Sequence, residues 1–330
     1  MNSIFEQAYK GYLNIKDNSE DLMYYFMGEN ENTSMKCFDI AQGIQITYSN
    51  LNTDSCFAPV IPEKDYLQID YCINGCYEFE HRNGLKYFFG ERDLCITPLR
   101  KGKQIFVDST IPFNHYYGIT ILMEMEAAQK TLEKDFKQAK INLYDIRSTL
   151  CKNDTPIMIK STHETDHIFG ELCSVDKRIQ TPYFWIKVIE ILLFLSIKDI
   201  SNILIPQQFS KEVTESTKNV YNYIIDNPFS KETISTLSTT FLISESSLKR
   251  CFKSMSGESI GTFMKVKRIE AVAELIESDT KLSIGEISEI AGYENQSKFS
   301  AAFKSIFGVT PITYRHKSER TDWSKKIPNR

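Results

Sequence analysis

Histidine, tryptophan and long hydrophobic runs are scarce in this sequence, and each shortage excludes something. There are five histidines and two tryptophans in 330 residues, and no two histidines form the His-x-His pair that many metal sites use. The longest apolar segment, Tyr183–Ile197, is shorter than the roughly 18 residues of a membrane-spanning helix, and it contains Lys187 and Glu190. We therefore expect no metal, no cofactor and no membrane partner.

A secretion signal and a cysteine framework are also missing. The first ten residues, MNSIFEQAYK, show no basic region followed by a long apolar run. The eight cysteines are scattered through apolar segments, and only Cys72 and Cys76 lie close together. This pattern favours buried, reduced thiols in a cytoplasmic protein.

The net charge is small, but it is unevenly distributed. The formal charge of the chain is −4. Residues 1–213 hold 22 Lys and Arg against 29 Asp and Glu, whereas the chain from Thr214 onward holds 17 against 14. This asymmetry indicates an acidic half and a mildly basic half with different partners. So small an excess does not by itself indicate nucleic acid, so the positions of the charges have to be considered.

Residues 43 to about 123 show the two-residue period of short strands. In YLQIDYC (66–72) and CYEFEH (76–81), apolar side chains alternate with more polar ones. Asn83-Gly84 follows, which is a strong hairpin signal because both central residues of a type I′ turn need a positive φ. Further short strands separated by turns predict a β-sandwich or barrel.

The turn GERDLCIT (90–97), which follows this hairpin, resembles the cupin-like sensor barrel at the front of many bacterial regulators. A metal-binding cupin needs a histidine cluster, and His81 and His115 are isolated, so neither a metal site nor a cupin enzyme is expected. An apolar and aromatic interior could hold a small effector, or the same side chains could simply be packed core. The candidate effector-lining residues are Leu67, Ile69, Tyr71, Tyr77, Phe79 and Tyr87.

The period then becomes helical. The segment 124–139 predicts one helix, and 163–179 predicts a second. Thr181 and Pro182 predict the start of a third helix, with Thr181 as its N-cap. The third helix is apolar almost all round, so it must be covered on more than one face. We expect the barrel to cover one side and a second subunit the other, which predicts a homodimer through helices of about 160–200.

Beyond a polar linker at 206–213, the chain repeats itself. The units TISTLSTTFLISESSLKRCFKSMSG (233–257) and SIGEISEIAGYENQSKFSAAFKSIFG (283–308) end in the similar hexapeptides FKSMSG and FKSIFG. Each unit predicts a short helix, a turn and a second helix that ends at Gly257 or Gly308. This is the pattern of a helix-turn-helix, whose second helix can enter a major groove.

The second helix of each unit presents a polar and basic outer face. Ser244 and Asn295 are suited to cap these helices. Arginine and glutamine can read bases, and lysine and serine can bind bases or phosphates. Two such faces at repeated positions favour DNA binding over an ordinary solvated surface, because a solvated surface usually carries both positive and negative side chains. The candidate DNA-binding residues are Ser246, Ser247, Lys249, Arg250 and Lys253 in the first helix, and Gln296, Ser297, Lys298 and Lys304 in the second.

The connection between the units supplies a geometric test. Residues 258–277 predict one helix of about 20 residues, hence about 30 Å long. One turn of B-DNA is roughly 34 Å, so such a rod can hold two recognition helices in successive major grooves. The segment KVKR (265–268) on this helix could contact the intervening phosphates or pair with Glu270, and the sequence leaves both open.

The run from about Val220 to Arg315 closely resembles the DNA-binding domain of AraC/XylS-type transcription regulators. The resemblance covers nearly a hundred residues and has a distinctive ending. The matching positions are Tyr223, Ile224, Asn227, Leu237, Ser244, Leu248, Arg250, Phe252, Lys253, Gly257, Arg268, Ile284, Ile287, Gly292, Tyr293, Phe299, Ser300, Phe303, Lys304 and GVTPITYR (308–315).

The resemblance implies base contacts from Ser246, Lys249 and Arg250 in the first recognition helix, and from Gln296, Ser297 and Lys298 in the second. Two positions depart from the family pattern. Leu242 stands where the family often has glycine. Ala301 stands where it often has arginine, so the second unit is expected to read its half-site weakly, through phosphates and methyl groups.

The expected fold class is α+β, with a cupin-like β-barrel and a helical dimerisation segment at the N-terminus, and an all-α domain with two helix-turn-helix units at the C-terminus. The expected domains are 1–205 (barrel about 43–123, helices about 124–200), the linker 206–213, the DNA-binding domain 214–316 and a basic tail 317–330.

The expected function is a sequence-specific transcription regulator that binds promoter DNA and is controlled by a small-molecule effector in the barrel, with RNA polymerase as a further partner. An alternative is a DNA-binding regulator without an effector, controlled by its abundance or by a protein partner. A more remote alternative is an enzyme built on the barrel, for which a convergent set of His, Asp, Glu and Cys residues is missing.

Overall fold

The computed structural model describes most of the chain as two compact units. Most of the first unit precedes Glu212, and most of the second follows it. The predicted hairpin turn at Asn83-Gly84 and the predicted tail 317–330 lie outside the described residues. The described residues are 13–18, 21–26, 33–53, 61–81, 86–104, 106–160, 162–197, 208–278 and 281–316.

The first unit is built on antiparallel strands, as the two-residue period predicted. The strands in its described part are β1 (Leu13–Asn18), β2 (Asp21–Phe26), β3 (Ser34–Ala41), β4 (Ile44–Leu51), β5 (Tyr66–His81), β6 (Lys86–Gly90), β7 (Asp93–Leu99), β8 (Phe106–Thr110), β9 (Tyr116–Glu124), β10 (Ile157–Lys160) and β11 (Gln208–Phe209).

The long strand β5 joins two sheets. Its first half pairs with β7 and β9, and its second half pairs with β6 and β8. From β9 the pairing continues through β4, β3 and β2 to β1, while β10 extends β7 and β11 extends β6. Among the described strands, β1 and β10 do not pair with each other. The sheet is therefore open over the part of the chain described, and the predicted barrel is not confirmed.

A β-bulge in β5 changes the face that this strand turns toward the helices. The register against β9 shifts between Cys72 and Asn74, and Gly75 adopts a φ of +85°. A Cβ at Gly75 would overlap the carbonyl oxygen of His115, so this position requires glycine. An inserted residue inverts the alternation of side chains. Two residues that are an even number of positions apart therefore belong to different cores when the bulge lies between them.

Helices pack on the aliphatic face of the first sheet. They are α1 (Met125–Asp135), α2 (Leu143–Leu150), α3 (His163–Leu172) and α4 (Gln180–Ser196). Helix α2 was not predicted, although Asn142 caps it by accepting hydrogen bonds from the amides of Tyr144 and Asp145. The predicted helix 124–139 is interrupted at Phe136, which leaves the helical conformation and packs its ring 5.4 Å from that of Trp185.

Two helix boundaries differ from the prediction. The predicted helix 163–179 ends at Leu172, and a separate 3-10 turn spans 177–179. The predicted cap at Thr181 is wrong, because α4 already begins at Gln180. The side chain of Asp176 accepts a hydrogen bond from the Arg178 amide at the start of the preceding 3-10 turn. That turn leads directly into α4, so the chain is already helical before it reaches Thr181.

Helix α4 is a core helix of the first unit. Residues 177–196 are long and apolar enough to cross a membrane by length and composition alone. However, Phe184, Val188 and Leu192 are fully buried in the same core as the strands. Lys187 is also buried, and it forms ion pairs with Glu171 and Glu190. A lysine held by two carboxylates and a buried apolar side indicate packing within a folded unit.

The second unit is entirely helical in its described part. Its helices are α5 (Lys211–Asp226), α6 (Ile234–Thr240), α7 (Glu245–Ser256), α8 (Ile260–Ser278), α9 (Ile284–Ile290) and α10 (Gln296–Phe307), and residues 311–316 are also helical. Helix α8 contributes to two cores: Ile260 and Phe263 pack with α5, α6 and α7, whereas Ile269, Val272 and Ile276 pack with α9 and α10. It is therefore the rod that the sequence predicted between the repeated units.

Candidate nucleic-acid interface

The repeated sequence produces repeated hydrogen bonds. In the first unit of the repeat, the Leu237 amide donates to Thr233 and the Ile243 amide donates to the Ser238 carbonyl at 3.0 Å. Fifty residues later, the Ile287 amide donates to Ser283 and the Tyr293 amide donates to the Ser288 carbonyl at 3.0 Å. Thr233 and Ser283 also form capping boxes at the starts of α6 and α9. The helix pairs α6–α7 and α9–α10 therefore have the same local construction.

The turns between the paired helices differ at the residue that adopts a left-handed backbone. Gly292 has a φ of +76°, which glycine adopts without a steric cost. The equivalent Leu242 has a φ of +53° and leaves 92% of its surface exposed. A left-handed backbone costs a residue with a Cβ about 1–2 kcal/mol. The presence of Leu242 in place of the family's glycine therefore strains the turn of the first helix-turn-helix.

Both second helices are fixed from inside and capped at their ends. Leu248, Phe252 and Met255 of α7 are buried, as are Phe299, Ala302 and Phe303 of α10. The caps are as predicted: the Ser247 amide donates to Ser244 Oγ at 3.2 Å, and the Ser297 amide donates to Asn295 Oδ1 at 2.7 Å. Gly257 and Gly308 follow the two helices with φ values of +78° and +72°.

The predicted DNA-binding side chains lie on the outer faces of α7 and α10. Ser247 is half-buried and the other eight are exposed. On α7, Lys249 donates to Glu245 at 2.8 Å, so part of its charge is already compensated. Within the described part of the chain, Lys253, Lys298 and Lys304 take part in no ion pair. These three lysines, together with the exposed Arg250, give the two faces their positive charge.

The structure separates the basic residues of α8 by role. Arg268 donates to the carbonyl oxygens of Pro228 and Ser230, the latter at 2.8 Å, and so holds the loop between α5 and α6. Lys267 pairs with Glu270 at 2.8 Å. Lys265 is exposed and forms no ion pair with the described residues. Of the segment KVKR, Lys265 is therefore the cation available to a phosphate.

A cleft of about 630 Å³ lies between the two helix-turn-helix pairs. Gly261, Met264, Lys265 and Arg268 of α8 line it, together with Phe229, Lys231, Glu232, Glu289 and residues 291–294. The sequence analysis did not identify this cleft, because it depends on how α8 brings two distant loops together.

The predicted effector-lining residues are divided between two cores. Leu67, Ile69 and Tyr71 precede the bulge and pack against the helices, where the Tyr71 ring stacks on Phe169 at 4.3 Å. The Tyr71 hydroxyl also donates to Asp166 at 2.7 Å. After the bulge, the strand residues of the candidate set join the second, largely aromatic core, in which Phe79 stacks on Tyr87 at 5.4 Å. The candidate residues from the two sides of the bulge therefore do not line one common surface.

The segment HETDH (163–167) has the spacing of a zinc-protease motif, and the sequence analysis did not single it out. Both of its histidines are exposed on α3, and the His167 ring lies 3.5 Å from the Glu171 carboxylate. In the part of the chain that the structure describes, no group of three or more His, Cys, Asp and Glu side chains is placed to hold a metal ion.

Two helix-turn-helix pairs in tandem, joined by one rod and presenting polar and cationic second helices, define the second unit as a DNA-binding helix-turn-helix domain. A protein-family model described as a helix-turn-helix domain matches residues 237–317. The sequence comparison and the geometry therefore select the same segment.

Comparison with similar proteins narrows the class of this helix-turn-helix domain. The F1 operon positive regulatory protein of Yersinia pestis is 43% identical over 68 residues, covering 21% of this chain and 22% of that protein. The xylose operon regulatory protein of Escherichia coli K12 is 38% identical over 73 residues, covering 22% and 18%. The C-terminal part of the chain is thus a helix-turn-helix domain of the AraC type, as the resemblance implied.

The alignments with these two relatives cover only part of the chain. The match spans about a fifth of the length of these curated relatives. Among solved structures, ToxT from Vibrio cholerae is 14% identical, with 83% of this chain and 98% of ToxT covered and a TM-score of 0.35.

Proposed function

We propose that the chain is a sequence-specific transcription regulator that binds promoter DNA through α7 and α10. The main support for this proposal is that the helix-turn-helix unit occurs twice. In both copies the second helix has the same construction and turns an exposed, polar and cationic face outward. Helix α8 has 19 residues and is therefore about 28 Å long. This length is close to the roughly 34 Å of one DNA turn, which favours insertion of the two helices into successive major grooves.

The two recognition helices are proposed to read DNA unequally. Arg250 of α7 can bind guanine with two hydrogen bonds. At the corresponding position α10 has Ala301, which is exposed and offers only a methyl group. Base contacts in the first half-site are assigned to Ser246, Lys249 and Arg250, with Ser247 and Lys253 beside them. The second half-site is assigned to Gln296, Ser297 and Lys298, with Lys304 on a phosphate.

Selection of bound sequences from random double-stranded DNA tests this proposal directly. The full chain should enrich a site with two half-sites about one helical turn apart, and the half-site of α7 should be the more strongly defined. A pool that shows no sequence preference, with or without cell metabolites, would refute sequence-specific regulation.

We also propose that the first unit pairs two subunits through helices of about 160–200. Ile179, Ile186 and Leu193 recur every seven residues, so they lie on nearly the same side of the segment that contains α4. They expose 52%, 59% and 41% of their surfaces, and Ile197 at the end of this segment exposes 83%. A second copy of the same helix would remove this row from water.

Control by a small-molecule effector in the first unit is part of the proposal, and RNA polymerase is the proposed downstream partner in the cytoplasm. The alternative is a regulator without an effector, governed by its abundance or a protein partner. A thermal-shift screen of the full chain against metabolites distinguishes the two, because a ligand that binds the folded state raises the melting temperature.

A further inference from the structure

The first sheet packs one aliphatic face against the helices, and its opposite face mixes polar side chains with members of the second core. Ile46, Ile69 and Ile121 lie on the aliphatic face and pack with the helices. The opposite face carries a row across five strands, because Cys37 pairs with Thr47, Thr47 with Thr120, Thr120 with Asp70, and Asp70 with Cys95 in the strand registers. We call this row and its neighbours Gln45, Gln68 and Thr97 the polar face. Gln45, Thr47, Thr97 and Thr120 on it are buried.

Asp70 is the charged centre of the polar face. Its Oδ1 accepts a hydrogen bond of 2.7 Å from Thr120 Oγ1, and its Oδ2 accepts one of 2.8 Å from Gln68 Nε2. Burial raises the pKa of Asp70 to about 6, and the hydrogen bonds from Thr120 and Gln68 oppose this rise. The carboxyl is therefore mainly ionised at pH 8.

Asp70 lacks a cation, although buried charges in proteins are ordinarily paired. Within the described residues, no lysine, arginine or histidine forms an ion pair with it. A polar group further along β5 is unsatisfied: Tyr66 is fully buried, and its hydroxyl has no hydrogen-bond partner among the described side chains and backbone. Tyr66 lies on the same face of β5, four residues before Asp70.

Solvent reaches part of this face. Gln68 and Asp70 keep accessible surface, whereas Tyr66 and Cys72 on the same face of β5 and Thr120 on β9 are buried. The Asp70 carboxylate is therefore only partly covered by neighbouring side chains.

An aromatic wall lies beside the solvent-accessible part of the face. Gly118 stands between Tyr116 and Thr120 on the same face of β9, and a Cβ there would overlap the Tyr116 hydroxyl. The Tyr116 ring thus lies along β9 with its hydroxyl end over Gly118, toward the Thr120–Asp70 pair. The ring centroids of Tyr77 and Phe89 lie 5.8 Å and 6.2 Å from that of Tyr116. Aromatic faces attract both apolar bodies and cations.

We propose that the polar face binds a small molecule in which a protonated amine is attached to an aromatic or apolar body. Asp70 pairs with the amine, Gln68 and Thr120 hold the carboxylate in position, and the wall that includes Tyr116 receives the body. The proposal deepens the effector control proposed above and rests on it for its regulatory meaning. A ligand with a carboxylate head would be repelled by Asp70, so this site selects against anionic effectors.

Calorimetric titration of the full chain at pH 8 with three matched probes tests the assignment. The probes are 2-phenylethylamine, 2-phenylethanol and 3-phenylpropionate, which differ chiefly in the charge of the head group. The amine should bind about ten-fold or more tightly than the alcohol, because a hydrogen bond to a charged group is worth about 1.5–3 kcal/mol. The carboxylate should bind weakest.

The variant Asp70→Asn keeps the shape of the side chain and removes its charge. It should lower the affinity for the amine about ten-fold or more and leave the affinity for the alcohol unchanged. The exposed Asp135→Asn at the end of α1 is the matched control and should change neither. Circular dichroism verifies that the variants are folded.

Equal affinities for the three probes, absence of binding by all of them, or an unchanged amine affinity in Asp70→Asn would overturn the assignment. If Asp70→Asn fails to fold, the order of the three probes on the unmodified chain decides the question. DNA binding is measured separately by fluorescence anisotropy on the same samples. A chain that binds selected DNA but no amine refutes this inference alone, whereas a chain that binds the amine but no DNA refutes the proposed regulator.

Discussion

At the scale of single residues, the clearest strain lies in the turn of the first helix-turn-helix. Leu242 adopts a left-handed backbone there and exposes almost its whole side chain to solvent. Nothing in its burial offsets the steric cost of the Cβ. Gly292 shows how the second copy of the same turn avoids that cost.

Replacing Leu242 with glycine should therefore stabilise the second unit by about 1 kcal/mol, since the left-handed strain is removed. The reverse change in the other copy, Gly292→Ala, should destabilise it by a similar amount, because a Cβ there meets nothing within 4 Å and only the backbone cost remains. Urea denaturation followed by circular dichroism measures both. Equal stability of Leu242→Gly and the unmodified chain would show that the turn is unstrained.

Asp70 makes the stability of the first unit depend on pH. Its pKa in the folded chain is raised to about 6 by burial, from an ordinary value of 3.8. The folded state therefore holds the proton more tightly than the unfolded state, and stability falls as pH rises through about 4 to 6. The loss is on the order of 3 kcal/mol. Burial also raises the pKa of Cys95, opposite Asp70 on β7, so this thiol stays neutral in that range.

Asp70→Asn should accordingly stabilise the protein at pH 8 and have little effect at pH 4, where the carboxyl is already protonated. Urea midpoints of the variant and the unmodified chain at the two pH values measure this difference. A gain of equal size at both pH values would mean that packing, and not the charge, is responsible.

At the scale of elements, the two recognition helices offer a matched comparison. Arg250 and Lys304 are both exposed on second helices, but only Arg250 has the planar fork that reads guanine. Arg250→Ala should weaken binding to the selected site by about 1–3 kcal/mol and relax its specificity at one position. Lys304→Ala should weaken binding to all DNA sequences by a similar factor. It should also reduce the slope of log affinity against log salt concentration by about 1.

Fluorescence anisotropy over a range of salt concentrations, with selected and scrambled DNA, separates these two effects. Lys134→Ala, at an exposed position near the end of α1, serves as the charge-matched control. If Arg250→Ala and Lys304→Ala reduced specificity equally, the assignment of base reading to Arg250 would be wrong.

The next prediction concerns the pairing of two subunits through helix α4. Ile186 exposes 59% of its surface in the middle of the proposed contact, so Ile186→Glu would place a charge in a subunit interface. This variant should be monomeric at micromolar concentration by light scattering, whereas the unmodified chain should be dimeric. Ile61→Glu is the control, since Ile61 is equally exposed (60%) outside the helices. A monomeric unmodified chain would contradict the proposed dimer.

At the scale of the whole molecule, the rigid connection between the DNA-reading elements has the largest consequence. Helix α8 contributes side chains to the core of each helix-turn-helix pair, so the spacing of the two recognition helices is fixed by packing. Arg268 strengthens this arrangement by binding the backbone of the loop before α6. A single chain should therefore tolerate only one spacing between its half-sites.

Inserting about five base pairs between the selected half-sites turns the second groove to the opposite side of the duplex. The affinity should then fall to that of the first half-site alone. Anisotropy on the original and the extended DNA measures the loss. An unchanged affinity would show that the second recognition helix contributes nothing or that α8 bends.

Sequence determined most about the second unit. Its buried positions, helix caps and outward charges recur in two copies, and each depends on contacts within a few turns of the chain, so the pattern is readable without coordinates. Less of the first unit could be predicted. Helix α2 is short, and the interruption at Phe136 coincides with its contact with Trp185, which is distant in the sequence.

The sequence by itself therefore determined the helix-turn-helix repeat, the rod between its copies and the strand character of the front half. Only the tertiary structure decided which strand residues share a surface. One bulge at Cys72–Asn74 inverts the alternation in β5, so Leu67, Ile69 and Tyr71 pack against helices, whereas Tyr77 and Phe79, after the bulge, join the second core. The physical reason is that a period of two predicts alternation but not which face is buried, and a single inserted residue exchanges the faces.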